Sequence, residues 1–256
     1  MKFKIGDLVT RNSYNNDLLF RIKSINNDVS ILEGVNIRLI ADSNISDLSL
    51  YNESNDDDIE FLKRIEPKKI DRDDYFYLPG KILHIDADKE YLNRCMNFYE
   101  KSNIWAKGIL ESEKNISSKI IEYLEEYRPD IVVITGHDAY LKKRGSDLNS
   151  YKNSLYFVDA IKEARKYEKS HEKLIIIAGG CQSNYEELIK AGANFASSPK
   201  RVNIHALDPA IIASTISLSD ITKDIDLKGI LDKTKYGSSG MGGIKTKGTM
   251  YIGYPR

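Results

Sequence analysis

Residues 131–138 read Ile-Val-Val-Ile-Thr-Gly-His-Asp, and residues 174–183 read Leu-Ile-Ile-Ile-Ala-Gly-Gly-Cys-Gln-Ser. Each opens with a short apolar run rich in β-branched side chains, the composition of a parallel strand covered on both faces. Each then breaks at glycine and presents a residue capable of proton transfer or nucleophilic attack. Residues 153–167, between them, carry apolar side chains at helical spacing and read as a crossover helix. One crossover normally makes its two strands neighbours, about 4.8 Å apart, which brings His137 and Cys181 to the same edge of the sheet. Ligands of open parallel sheets bind at that edge, outside the carboxyl ends of the strands.

The same alternation extends in both directions. Apolar runs at 81–86 and 105–110, and a weaker one at 194–197, are separated by helical-period segments at 89–101, 115–127 and 184–190. Two further helices are expected at 209–218 and 227–235, followed by a glycine-rich tail at 237–243. This is the pattern of an α/β domain with right-handed βαβ crossovers. Residues 1–51 differ: short alternating runs at 7–10, 18–24, 29–33 and 37–41, broken by turn residues, read as a small β-barrel module. Its opening Ile5-Gly-Asp-Leu-Val9 resembles the first strand of SH3-like barrels. Residues 52–74 hold nine acidic and five basic side chains with few apolar ones, the composition of a solvated linker. The expected organisation is therefore a module at 1–51, an acidic linker at 52–74 and an α/β domain at 75–256.

The chain has 256 residues, with 38 basic and 38 acidic side chains and a formal net charge of zero. That balance argues against a dedicated nucleic-acid or anionic-membrane binder, both of which need clustered positive charge. Protein or small-molecule partners are expected instead. Two cysteines, Cys95 and Cys181, are too few for a disulfide framework and lack the spacing of a zinc site. No run approaches the ~20 apolar residues that span a bilayer, and the first residues lack the apolar stretch of a signal peptide. A cytoplasmic, reducing setting is the expectation.

Around Cys181 the sequence favours nucleophilic chemistry. Ser183-Asn-Tyr-Glu186 fits a capping box, so a helix N-terminus should lie just beyond the sulfur and, with a protonated imidazole alongside, lower the thiol pKa. Gly179 and Gly180 clear the turn so that an acyl group can approach closely, and Gly180, with Gly136 and Asp138 after the partner strand, is expected to form the turns whose amides stabilise an oxyanion. A lone cysteine after a buried strand is otherwise a small apolar filler, and a lone histidine a satisfied structural residue. Their placement at adjacent strand ends separates this pair from that reading. His205, after the weaker strand, is the rival base. Cys95 falls inside a helix, His84 inside a strand and His171 in a charged loop, all structural settings.

A strand carrying histidine, a crossover helix and a strand carrying cysteine resemble the arrangement of the caspase, legumain and gingipain group of cysteine peptidases. Ile5-Gly-Asp-Leu-Val9, Arg38-Leu-Ile-Ala-Asp-Ser43, Val133-Ile-Thr-Gly-His-Asp-Ala-Tyr140, Cys181-Gln-Ser183, Gly192-Ala-Asn-Phe-Ala-Ser-Ser-Pro199 and Arg201-Val-Asn-Ile-His-Ala-Leu-Asp-Pro209 together resemble the YabG family of sporulation-specific cysteine proteases. The resemblance spans nearly the whole chain. It implies a caspase-like parallel-sheet peptidase domain preceded by an SH3-like β-barrel module. It also implies an endopeptidase of the mother cell of a spore-forming bacterium, trimming spore coat or cortex-associated proteins after arginine, with Cys181 as nucleophile and His137 as its catalytic partner. Asp138 follows the histidine where the wider group commonly has glycine. No metal or organic cofactor is required by this chemistry.

An arginine substrate adds a physical requirement, since a guanidinium entering a pocket loses hydration and must meet a carboxylate. Asp86, Asp88, Asp138 and Asp208 all follow predicted strands at the relevant edge, with His205 nearby. The residues leave two rival readings open. A glutaminase-type amide hydrolase also places cysteine after a parallel strand, but Ser183 stands where a nucleophile elbow wants glycine. A non-catalytic coat-assembly protein would rely on the N-terminal module.

Overall fold

The computed structural model describes residues 3–16, 18–34, 40–51, 75–140 and 148–255, in two compact units, Met1–Ile70 and Asp71–Arg256. The first unit is an antiparallel sheet of β1 (Leu8–Arg11), β2 (Phe20–Asn26), β3 (Val29–Gly34), β4 (Ile40–Asn44) and β5 (Leu48–Leu50), in the order β4-β3-β2-β1-β5. Alternation along these strands buries Val9, Phe20, Ile22, Leu32 and Leu48 in one small core. The expected run at 37–41 begins in residues outside those described, as does the whole acidic segment 52–74.

The second unit contains a six-stranded sheet. Its parallel strands are β7 (Ile82–Asp86), β8 (Ala106–Leu110), β9 (Ile131–Thr135), β10 (Ile175–Gly179) and β11 (Phe195–Ser197), and β12 (Met241–Gly243) closes one edge antiparallel to β11. The spatial order is β12-β11-β10-β9-β7-β8. The chain therefore steps outward from β7 to β8 and then returns past β7 to lay down β9, which makes the β7/β9 boundary the topological switch point. A separate pair, β6 (Phe76–Leu78) and β13 (Tyr251–Gly253), forms a two-stranded antiparallel ribbon.

Alternate residues of the central strands feed two different cores. Leu83, Ile85, Val132, Ile134, Ile176 and Ala178 pack with α2 (Glu113–Tyr127), α3 (Ser154–Tyr167) and α4 (Tyr185–Ala191). Ile82, Ile131, Val133, Ile175 and Ile177 pack with α1 (Lys89–Lys101), α5 (Asp208–Ser217) and α6 (Leu227–Asp232). Burial on both faces explains why the strands read as continuous apolar runs. α1 starts at Asp88, whose side chain accepts from the Glu90 and Tyr91 amides, and ends in a turn at Ser102 and Asn103.

Two local expectations are corrected. The helix after Cys181 is capped by Asn184, which accepts from the Glu187 amide at 3.3 Å, so the cap lies one residue beyond Ser183. Ser183 is buried and turned toward the strand ends instead. The glycine-rich tail is not a terminal appendage: after a one-turn helix, α7 (Gly237–Gly240), it becomes edge strand β12. A Cβ at Gly243 would lie 2.4 Å from the Phe195 ring, so bare backbone is what lets this strand pack there.

The cores of the two units share no residue. Phe20→Ala removes the largest buried side chain of the first and should cost about 3–5 kcal/mol there. Hydrogen exchange should show amides of β1, β2 and β3 losing protection while those of β9 and β10 keep theirs. Equal loss in both units would show that they unfold together.

Candidate active site

Thr135 on β9 lies directly opposite Gly179 on β10, so both strands end at the same level. Gly179 has φ +113°, and a Cβ on it would stand 2.2 Å from Ser197 Oγ, so its bend and its surroundings both require glycine. At Gly180 the constraint is backbone against backbone. A Cβ there would sit 2.4 Å from the Gly136 carbonyl oxygen and 3.0 Å from the Asp138 nitrogen. The loops leaving the two strands are therefore in direct main-chain contact.

Asp138 fastens them. It is buried, and its carboxylate oxygens accept from four groups: the Ala139 amide and the Asn153 amide, each at 2.8 Å, the Ser154 hydroxyl at 2.5 Å and the Ser183 hydroxyl at 2.8 Å. These donors come from the β9 loop, the start of α3 and the β10 loop. Ser183 Oγ in turn accepts from the Gly180 amide at 2.9 Å, so that N–H faces inward and is not an oxyanion donor. The Gln182 amide is likewise engaged, by Ser198 Oγ and the Val202 carbonyl. The Cys181 and Asp138 amides have no acceptor among the described residues.

A cleft of about 90 Å³ opens at this edge, on the β7, β9 and β10 ends, and both Cys181 and His137 line it. The Cys181 sulfur exchanges hydrogen bonds with Ile204, donating to its carbonyl at 3.7 Å and accepting from its amide at 3.4 Å. The His137 ring is more than half exposed, and its Nε2 lies 3.0 Å from Asp88 Oδ2. No hydrogen bond joins the thiol to the imidazole. The histidine's backbone is held from both sides, its N–H donating to Glu113 Oε1 at 2.9 Å and its carbonyl accepting from Asn153 Nδ2 at 2.6 Å.

The four aspartates and His205 separate once their partners are known. Asp208 is fully buried at the start of α5, accepting from the His205 and Lys235 amides, each at 2.9 Å. Neither Asp208 nor Asp138 lines the cleft, and the four acceptor positions of Asp138 are filled, so both give way as pocket acids. Asp88 divides its oxygens between the α1 cap and His137. The Tyr91 amide first, then the His137 ring, hold its carboxyl below the ordinary carboxylate range. Asp86 is the one carboxylate among the described residues that lines the cleft. It accepts from the Asp88 amide at 2.8 Å and the Thr135 hydroxyl at 2.6 Å. His205 Nδ1 accepts from the Leu207 amide, and the ring stands outside the cleft.

The remaining sensitive groups serve the core. His84 is buried between the Tyr99 hydroxyl, 2.8 Å from Nδ1, and Thr135 Oγ1, 3.1 Å from Nε2. Burial pushes the Cys95 thiol up to about 12, helped by Asp86, so it stays protonated at any working pH. A larger hollow, about 570 Å³, lies near the opposite ends of the strands beside Thr215, Lys223 and Lys233; it contains neither cysteine nor histidine. No group of three or more metal-ligating side chains occurs among the described residues, and no helix there is long and apolar enough to cross a membrane.

Removing the Asp138 carboxylate strands four donors in a buried site. Asp138→Ala should lower stability by at least ~3 kcal/mol, and Asp138→Asn, which keeps an acceptor, by less. Urea unfolding followed by circular dichroism measures both; an Ala variant as stable as the parent would show that the donors find water.

The chain matches the family described as YabG peptidase U57 over residues 4–66 and 55–255. It is 43% identical, over an alignment 286 positions long, to the sporulation-specific protease YabG of Bacillus subtilis (strain 168), covering 100% of this chain and 99% of that protein. A full-length match at this identity, joined to the family match over both units, places the chain in the YabG family of sporulation-specific peptidases.

Proposed function

We propose that this peptidase is a cysteine endopeptidase with Cys181 as nucleophile and His137 as general base. The observation that carries this is the shared cleft: the two side chains stand on the loops that leave neighbouring parallel strands, at the sheet edge where ligands bind. The thiol loses its proton to the imidazole, sulfur attacks the scissile carbonyl, and the imidazolium returns the proton to the leaving amine; water then releases the acyl group from sulfur. The Cys181 amide and the Asp138 amide are the proposed oxyanion donors. A main-chain N–H serves whatever its side chain, so aspartate in place of glycine after the histidine is compatible with this role. The adjacency of the histidine and cysteine strands also supports the caspase-like reading of the second unit, and the five-stranded antiparallel first unit supports an SH3-like module.

Cys181→Ala should abolish peptide hydrolysis, whereas Cys95→Ala should remain active because its sulfur is buried and protonated. His137→Ala should lose far more activity than His205→Ala. Cleavage of a mixed peptide library by the purified variants checks both rankings. A fully active Cys181→Ala variant would end the cysteine reading.

For substrates we propose spore coat or cortex-associated proteins in the mother cell, cut after arginine. Asp86 is the acid we propose for the guanidinium, because it lines the cleft. Asp86 is buried, with two internal donors and His84 Nε2 3.6 Å from its Oδ2, so a cation would reach its remaining acceptor positions only through the cleft. Asp86→Asn should therefore weaken cleavage after arginine more than cleavage after neutral residues. Profiling both enzymes on the library decides it: equal losses would remove Asp86 from the pocket role, and absence of cleavage after arginine would remove the preference itself.

A further inference from the structure

We propose that Asp88 is a positioning residue for His137, fixing the ring proton on Nε2 so that Nδ1 is the basic nitrogen presented to the cleft. The inference rests on the Cys181–His137 reading for its catalytic consequence, but its structural content stands on Asp88 and the ring alone.

An ionised carboxylate only accepts hydrogen bonds. With Asp88 Oδ2 at 3.0 Å, Nε2 must therefore carry the hydrogen, and in the neutral imidazole the lone pair belongs to Nδ1. Asp88 stays ionised because its other oxygen, Oδ1, holds the Glu90 and Tyr91 amides at 2.8 and 3.0 Å. That division separates two duties: Oδ1 caps α1 and Oδ2 orients the histidine. The first turn of α1 contributes once more, through Tyr91, whose ring lies 5.6 Å from the His137 ring, centre to centre.

His137 is thus held at every point except the nitrogen that reacts. Glu113 takes its N–H, Asn153 holds its carbonyl, Tyr91 packs on its ring and Asp88 takes Nε2. Nδ1 has no partner among the described residues. In the reaction the thiol proton moves from Cys181 sulfur to Nδ1, and from Nδ1 to the leaving nitrogen. The Nε2 proton stays in place, its bond to Asp88 strengthening while the ring is positive; no proton passes to the carboxylate.

Asp88→Asn separates the two duties, because asparagine is as good an N-cap as aspartate but carries no charge. Full-length protein with 15N-labelled histidine is the sample, and imidazole 15N shifts report the tautomer directly. The parent should show His137 with hydrogen on Nε2, and Asp88→Asn should lose that preference while keeping its melting temperature. On the best-cleaved peptide from the library, kcat should fall at least roughly tenfold with KM changed little. Asp88→Ala should show the same loss of kcat together with lower thermal stability. An Asp88→Asn enzyme with the parent's tautomer and kcat would overturn the proposal, leaving Asp88 a helix cap. If Cys181→Ala retains activity, the cysteine reading fails separately; an unchanged His137 tautomer in Asp88→Asn would still overturn the orientation by Asp88, and a changed one would uphold it.

Discussion

The geometry of the candidate site depends on one buried carboxylate. Asp138 has almost no contact with solvent, and a charge in that position persists only if protein groups replace its hydration. The replacements are two amides and two hydroxyls from three separate segments. Satisfying the charge therefore fixes the exits of β9 and β10 and the start of α3 relative to one another. Gly180 can then lie flat against the Gly136 carbonyl, with the Cys181 backbone following at a set height above the sheet. The interaction that builds the site also removes Asp138 from it as a ligand for substrate. Proximity to the histidine in sequence says little about the role of an acid here; the number of acceptor positions left unfilled says more.

Much of this was legible in the residues alone. The doubly covered strands announced themselves as unbroken Ile and Val runs, and the helix over 89–101 was readable to the residue because Asp88 caps it and a charged, polar turn ends it. The neighbourhood of β9 and β10 followed from a single intervening helix. Strand order beyond that pair did not follow, because nothing local tells β7 to lie between β8 and β9. Asp88 accordingly read as a possible pocket acid, although the switch point brings it beside the histidine. Ile204, which meets the Cys181 sulfur through its backbone, carries no side-chain signal for such a contact. Strand β12 was hidden for a related reason, since Met241-Gly-Gly243 has poor strand propensity and gains its place from tertiary fit against Phe195.

Three residues at the end of β7 connect the two halves of the proposed chemistry. Asp86 lines the cleft and accepts from the Asp88 amide, while the Asp88 side chain holds His137. The proposed pocket acid and the proposed histidine partner thus lie two residues apart on one short segment, itself tied to β9 by the Thr135 hydroxyl. On this reading a guanidinium that engages Asp86 does so against a carboxylate whose orientation is set by the same backbone that sets the imidazole. The pocket carboxylate and the imidazole therefore keep a fixed relation whatever occupies the pocket, because displacing either carboxylate strains a shared amide. A neutral residue in the pocket leaves His137 oriented but brings no counter-charge to Asp86, so discrimination falls on how well the scissile carbonyl is placed over Cys181. Specificity built this way is expressed in the rate of acylation and not only in binding, which is what transition-state complementarity demands of a selective peptidase.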